Sequence, residues 1–341
     1  ITAPKEFFDV TKKFHNALHG KQERMSEEDF SLFLKVTEEN LSQLDLSSDF
    51  LLIHDPQPVA LITRKNEVGK RWVWRCHIDV SQPDSKVWGF LRQFVVKYDA
   101  AIFSSPNFAQ ELPIRQFFAP PSIDPLSDKN KELSSSAIPA ILEKYGLDKD
   151  KPMILQVSRF DRLKDPVGVI QAFELVRRHF PCQLVLAGGA ASDDPESTEV
   201  LKEVKERAGG NPDIHILDIP PGSDLDINAL QRAATVVVQK SLREGFALTI
   251  TEALWKGKPV VASAVGGIPL QVRNKLTGLL CHSIEGAAYA LRQILANPDY
   301  GRWLGHNGRE HVRQHFLITR EIRDYLLMFL TLNSREDIVY L

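Results

Sequence analysis

Six short apolar runs alternate with helix-like segments between residues 153 and 281, and this alternation restricts the second half of the chain to one architecture. The runs are Met153 to Val157, Gln183 to Ala187, Ile214 to Leu217, Thr235 to Val238, Val260 to Ser263 and Gly278 to Cys281. Between them, segments such as Pro166 to Arg178 and Ser197 to Ala208 read as helices. Strand and helix alternating at this pitch predict a parallel sheet covered on both faces. Sheets of this kind take their ligands at the carboxyl ends of the strands.

The first half follows the same rule less completely. Phe30, Phe33, Leu34, Leu41 and Leu44 lie closer to one helical face than to strict alternation. Strand candidates follow at Phe50 to His54, Trp72 to Cys76, Ala100 to Ser104 and Arg115 to Ala119, with separations long enough for crossovers. This half offers no opening strand with a glycine-rich turn. Pro120-Pro121-Ser122-Ile123-Asp124-Pro125 and the polar run after it read as the connection between domains, with a short helix near Ile141 to Tyr145. Helices are expected near Ala287 to Ala296, Tyr300 to Gln314 and Thr319 to Leu330.

A length of 341 residues suits two such domains. The expected division is residues 1–145, residues 146–315, and a closing segment, 316–341. The fold class is α/β, with two Rossmann-like, doubly wound domains facing across a cleft.

A formal charge of −2 provides no general attraction to nucleic acid or an anionic membrane. No apolar segment reaches about 18 residues, so no membrane span is expected. Cys76, Cys182 and Cys281 are too few and too scattered for a disulfide framework or a cysteine metal cluster. Buried thiols in a reducing, cytoplasmic setting are the plainer expectation, and no metal site is assigned.

Four groups of residues could carry chemistry. Ser158-Arg159-Phe160-Asp161-Arg162-Leu163-Lys164 leaves a strand, and Arg159 and Lys164 could converge there on one diphosphate. A solvated basic loop is the alternative. Gly266 and Gly267 also follow a strand, where adjacent glycines would let backbone amides approach an anion, although any tight turn could use them.

The third group is Arg243-Glu244-Gly245-Phe246-Ala247-Leu248-Thr249-Ile250-Thr251-Glu252, which follows the strand at Val236-Val237-Val238. Amides from Gly245 to Thr249, at a helix start, would favour a phosphate or a sugar hydroxyl. Glu244 and Glu252 could accept hydrogen bonds from sugar and ribose hydroxyls. Thr249 and Glu252 equally fit a capping box, three positions apart, and one carboxylate could serve both purposes.

The fourth group is His54-Asp55 after one strand and His77 with Asp79 after the next. Satisfied structural histidines are the simpler account of His54 and His77, and no spacing supports a divalent metal site. The acidic run Asp193-Asp194-Pro195-Glu196 reads as solvated surface or a helix N-terminus, compatible with Mg²⁺ stimulation.

Together these stretches resemble the retaining glycosyltransferases of family 4, which have the GT-B arrangement, and among them the trehalose-forming members. The resemblance is carried by Trp74-Arg75-Cys76-His77-Ile78-Asp79-Val80-Ser81-Gln82-Pro83, Pro120 to Leu126, Gln156-Val157-Ser158-Arg159-Phe160-Asp161, and Arg243 to Pro259. It implies transfer of glucose from a nucleoside diphosphate glucose, UDP- or ADP-linked, to free glucose with retention. In such enzymes the residue matching Glu244 lies by the donor hexose, and the one matching Glu252 binds ribose. Arg159 and Lys164 match the pair that holds the diphosphate, His77 a contact to the donor sugar, and Asp55 a residue that places the acceptor. Gly266 and Gly267 match a loop bordering the donor. The final helix is expected to cross back onto the first domain.

Asp165 departs from the family, standing where glycine is usual. A homodimer is compatible with the resemblance. The rivals are a trehalose phosphorylase, using inorganic phosphate, and a non-catalytic sugar-nucleotide-binding protein. A dinucleotide oxidoreductase fits poorly, because Gly188-Gly189 does not supply G-x-G-x-x-G.

Overall fold

The computed structural model describes residues 1–68, 70–189 and 195–334. Contacts divide the chain into two compact units, Ile1–Pro120 with the segment from Ile322 onward, and Pro121–Glu321. Residues 121–145 thus cluster with the second unit rather than the first. Specific bonds account for this: Asn228 Nδ2 donates to the carbonyls of Asp128 and Lys131, and the Tyr145 hydroxyl reaches Asp226 Oδ2 at 2.6 Å.

Among the described residues, the first unit holds four parallel strands in sequence order: β1 (Phe50–His54), β2 (Arg71–Cys76), β3 (Ala100–Phe103) and β4 (Arg115–Phe118). Successive residues of β2 show how the faces divide. Trp72, Trp74 and Cys76 pack into one core with Phe7, Phe14 and Phe33, from the helices Lys5–Leu18 and Glu27–Leu41. Val73 faces the other way, where Ala100 and Ile102 meet Met328 and Leu332 of the helix Ile318–Asn333. The period of two is that of a strand buried on both sides.

The helix Glu27–Leu41 opens with a capping box, Ser26 accepting from the Asp29 amide while Asp29 accepts from that of Ser26. Its buried face is Phe33, Val36, Thr37, Asn40 and Leu41. Leu34 and Leu44, grouped with that face from spacing, are exposed instead. Spacing fixes the existence of an amphipathic helix better than the angular position of its stripe.

Among its described residues, the second unit holds six parallel strands: β5 (Met153–Val157), β6 (Gln183–Gly188), β7 (Ile214–Asp218), β8 (Val236–Gln239), β9 (Val260–Ser263) and β10 (Leu279–Cys281). Their order is β10-β9-β8-β5-β6-β7. From β5 the chain steps outward through β6 to β7, then returns to the far side of β5 to lay down β8, β9 and β10. The direction therefore reverses between β5 and β8. Loops leaving those two strands cannot both be filled by a following crossover on the same side, which opens a crevice at their carboxyl ends.

All three cysteines are buried and free. Among the described residues, no helix is long and apolar enough to cross a membrane.

Candidate active site

The loops leaving β5 and β8 carry the Arg159–Lys164 and Glu244–Glu252 groups, and polar contacts bind the two loops together. Leu242 donates its amide to the Leu163 carbonyl at 2.7 Å. Lys164 Nζ lies 2.6 Å from Glu244 Oε2, which also accepts from Ser241 Oγ at 3.0 Å. Beside this pair, Lys240 and Asp165 form a second ion pair. Gln156, inside β5, donates to the Lys164 carbonyl at 2.9 Å and so steadies the same turn from beneath.

Asp165 stands where the resemblance leads one to expect glycine, and its backbone shows how aspartate fits there. Its φ of 49° is left-handed, a conformation that glycine adopts freely and that aspartate tolerates better than most residues. Its carboxylate then caps the helix Pro166–Arg177 by accepting from the Gly168 amide at 3.0 Å, besides pairing with Lys240. One side chain thus stabilises the turn, the helix start and the link to the neighbouring loop.

Arg159 lies on the same loop but points differently. Its guanidinium is 3.3 Å from Asp161 Oδ2, and the side chain is half exposed. Asp161 is held in turn by the Leu163 amide.

The loop after β9 completes this end of the sheet. A methyl group on Gly266, whose φ is 55°, would stand 1.6 Å from the Glu244 carbonyl oxygen. One on Gly267 would stand 2.6 Å from the Gly245 carbonyl oxygen. Only glycines let these loops approach so closely, and the Glu244-Gly245 backbone is thereby fixed.

At the helix Leu248–Trp255 the structure corrects the capping expectation. The cap position belongs to Ala247, at φ 72°, with no side-chain cap bond; Thr249 is already inside the helix. Glu252 is therefore mid-helix, too far along to reach back to the cap amide, and it is buried. The first-turn amides of Leu248 and Thr249 have no intrahelical carbonyl to bond, as helix geometry requires. Phe246 is buried against Phe316, and Gln271 donates to its carbonyl.

In the first unit, the ends of β1 and β2 bring His54, Asp55 and His77 together. His54 Nδ1 and His77 Nε2 are 2.9 Å apart. Asp55 turns with φ 64°, and its Oδ1 accepts the His77 amide at 2.8 Å. Burial raises the Asp55 carboxyl above its usual range, opposed by that amide and by His54 and Arg75. The His77 imidazole is pushed down to about 3, chiefly by burial and then by Arg75 and His54, so it stays neutral near pH 7. Asp79 does not join them: its Oδ1 accepts from the amide and hydroxyl of Ser81.

Among the described residues, no group of three or more His, Cys, Asp or Glu side chains is placed to hold a metal ion. Asp193 and Asp194 lie outside the described residues. Lys240, Ser241, Gln156 and Gln271 were not singled out from sequence. Lys240 and Ser241 directly follow β8, a position that could have marked them; Gln156 opens a stretch that carries the resemblance but has no role implied by it, and Gln271 carries no local signal.

The two parallel-sheet α/β units have the fold of GT-B glycosyltransferases, and residues 137–311 match the family model described as glycosyl transferases group 1. Residues 1–110 match a second model, described as trehalose synthase, N-terminal domain. The chain is 45% identical to the trehalose synthase of Pyrococcus horikoshii over 332 residues, covering 96% of this chain and 80% of that one. It is 41% identical to the trehalose synthase of Rubrobacter xylanophilus, covering 95% and 80%. A UDP-forming α,α-trehalose-phosphate synthase from Burkholderia xenovorans shares the fold with a TM-score of 0.79 at 17% identity, covering 97% of this chain and 86% of that one. The chain belongs to the trehalose synthase family of the group 1 glycosyltransferases, and it is a hexosyltransferase.

Proposed function

We propose that this chain forms α,α-trehalose by moving glucose, with retention, from a nucleoside diphosphate glucose to the anomeric hydroxyl of free glucose. The observation that carries this beyond the family is the Lys164–Glu244 pair at the carboxyl ends of β5 and β8, where the strand order reverses. A cation and a carboxylate held side by side suit a substrate that presents both a diphosphate and sugar hydroxyls.

Lys164 and Arg159 stabilise negative charge as the bond from C1 to the diphosphate oxygen breaks, a task that contributes heavily to catalysis of this kind. The amides from Gly245 to Thr249 favour the phosphate at the helix start. Glu244 places donor hydroxyls, Glu252 the ribose, and Gly266 and Gly267 keep the loop near the donor open to the backbone. His77, neutral, hydrogen-bonds the donor sugar, and Asp55 helps to place the acceptor. The acceptor oxygen bonds to C1 on the face the diphosphate leaves, and its proton passes to a phosphate oxygen.

Incubation of the full chain with UDP-glucose or ADP-glucose and free glucose should yield trehalose and the matching nucleoside diphosphate. In the reverse direction, trehalose with a nucleoside diphosphate should regenerate the nucleotide sugar. Glucose 1-phosphate appearing only when inorganic phosphate is supplied would replace this proposal with a phosphorylase.

A further inference from the structure

Glu252 sits over a buried polar chain that nothing above assigns. Lys256 follows it by one helical turn at the end of the helix Leu248–Trp255. Its ammonium donates to Gln231 Oε1 at 2.8 Å, to Asn130 Oδ1 at 3.0 Å and to the Glu252 carbonyl at 3.2 Å. An ammonium has three donors and no acceptor, so these three oxygens satisfy it completely. Gln231, Asn130, Glu252 and Lys256 are all buried, and Gln231 is fully so.

With Lys256 protonated, its ammonium fixes which way the Gln231 amide points. Rotating it by half a turn would bring its NH₂ against Lys256, donor to donor. With its oxygen held by Lys256, the Gln231 NH₂ must face the other way, where Glu252 Oε2 and the Thr249 carbonyl both lie at 3.3 Å. A buried lysine thereby aims a donor at one oxygen of Glu252.

We infer that Lys256 and Gln231 are positioning residues for the nucleotide half of the donor: they hold one Glu252 carboxylate oxygen and leave the other to accept from the ribose hydroxyls. The inference rests on the reading of Glu252 as the ribose ligand. Burial lowers the Lys256 ammonium to about 7, opposed first by the charge of Glu252, so holding a charge here is costly.

Calorimetric binding of UDP and ADP, their 2′,3′-dideoxy analogues and inorganic pyrophosphate to the full chain tests this. The unaltered protein should bind the better of the two nucleotides about tenfold more tightly than its dideoxy analogue, the loss expected for a hydrogen bond to a carboxylate. In Lys256→Met that ratio should fall toward one, while affinity for pyrophosphate, which has no ribose, stays within about twofold. Gln231→Leu, which leaves Lys256 two of its acceptors, should behave alike and serves if Lys256→Met does not fold. If either folded variant keeps the tenfold ratio, the relay is wrong although Glu252 still binds ribose. If the unaltered protein itself shows no preference, the ribose reading and the inference fall together. Loss of pyrophosphate binding in both variants would reduce the chain to general support of the fold.

Discussion

Lys164 Nζ and Glu244 Oε2 lie 2.6 Å apart, joining the loop after β5 to the loop after β8 through one largely buried ion pair. Both side chains are mostly shielded, at 19% and 8% exposure, so neither charge can rely on water if the other is removed. The same two groups that tie the loops are those proposed to meet the donor.

Glu244→Ala should therefore reduce trehalose formation by roughly 100-fold or more, the scale of losing one electrostatic contact at a reacting centre. Far-UV circular dichroism should still report a folded sheet, with a lowered melting temperature because Lys164 loses its buried partner. Near-normal turnover would remove Glu244 from the site.

Gly266→Ala is expected to destabilise the protein by at least about 2 kcal/mol, combining an unfavourable left-handed φ with collision against backbone. The added carbon would stand 1.6 Å from the Glu244 carbonyl oxygen, which no rotamer change can relieve. Thermal melting reads the stability, and loss of turnover in whatever remains folded reads the displaced Glu244. An unshifted melting temperature would contradict the close approach of these loops.

Thr249→Ala separates the observed helix start from the capping box that the sequence also fits. With Ala247 at the cap and no side-chain bond there, the change should cost less than about 0.5 kcal/mol. A threonine acting as the cap would cost about 1 kcal/mol, a difference that denaturant titration resolves.

The depressed imidazole of His77 makes a pH prediction of definite sign. Unfolded, the ring takes up its proton near 6.5; folded, only near 3, with His54, Arg75 and Asp55 around it. Between those values the unfolded state binds more protons, so this contribution is complete above 6.5 and is lost as pH falls toward 3. His77→Gln lacks it. Urea midpoints at about pH 7.5 and about pH 4.5 should show the variant gaining on the parent at the lower pH, and a constant gap would contradict a buried neutral ring.

Strands buried on both faces were legible because they leave an almost uninterrupted apolar run, and Met153–Val157 and Val260–Ser263 match their expected bounds. Helices whose apolar stripe is diluted were located less well. The face of Glu27–Leu41 was misplaced by including Leu34 and Leu44.

Within the candidate site, residues that stand directly after a strand could be singled out from order alone, among them Arg159, Lys164, Glu244 and Gly266. Which residues pair with which could not be read that way. Lys240 lies 75 positions from Asp165, and Gln231 lies 21 from Glu252. Pairing at such separations depends on how strands are ordered in a sheet, and periodicity carries no information about that order.

By itself the sequence determined that the second half is a parallel sheet and that charged loops leave its strands, since both follow from local pattern. Tertiary structure alone decided that β8 returns beside β5, which is what brings Lys164 to Glu244 and turns two separate loops into one site. It also decided that Glu252 is a buried residue within its helix, not a cap, because the helix begins where the chain bends at Ala247. Helix starts and side-chain partners are set by packing energies shared across the whole unit, and a local run of residues does not contain them.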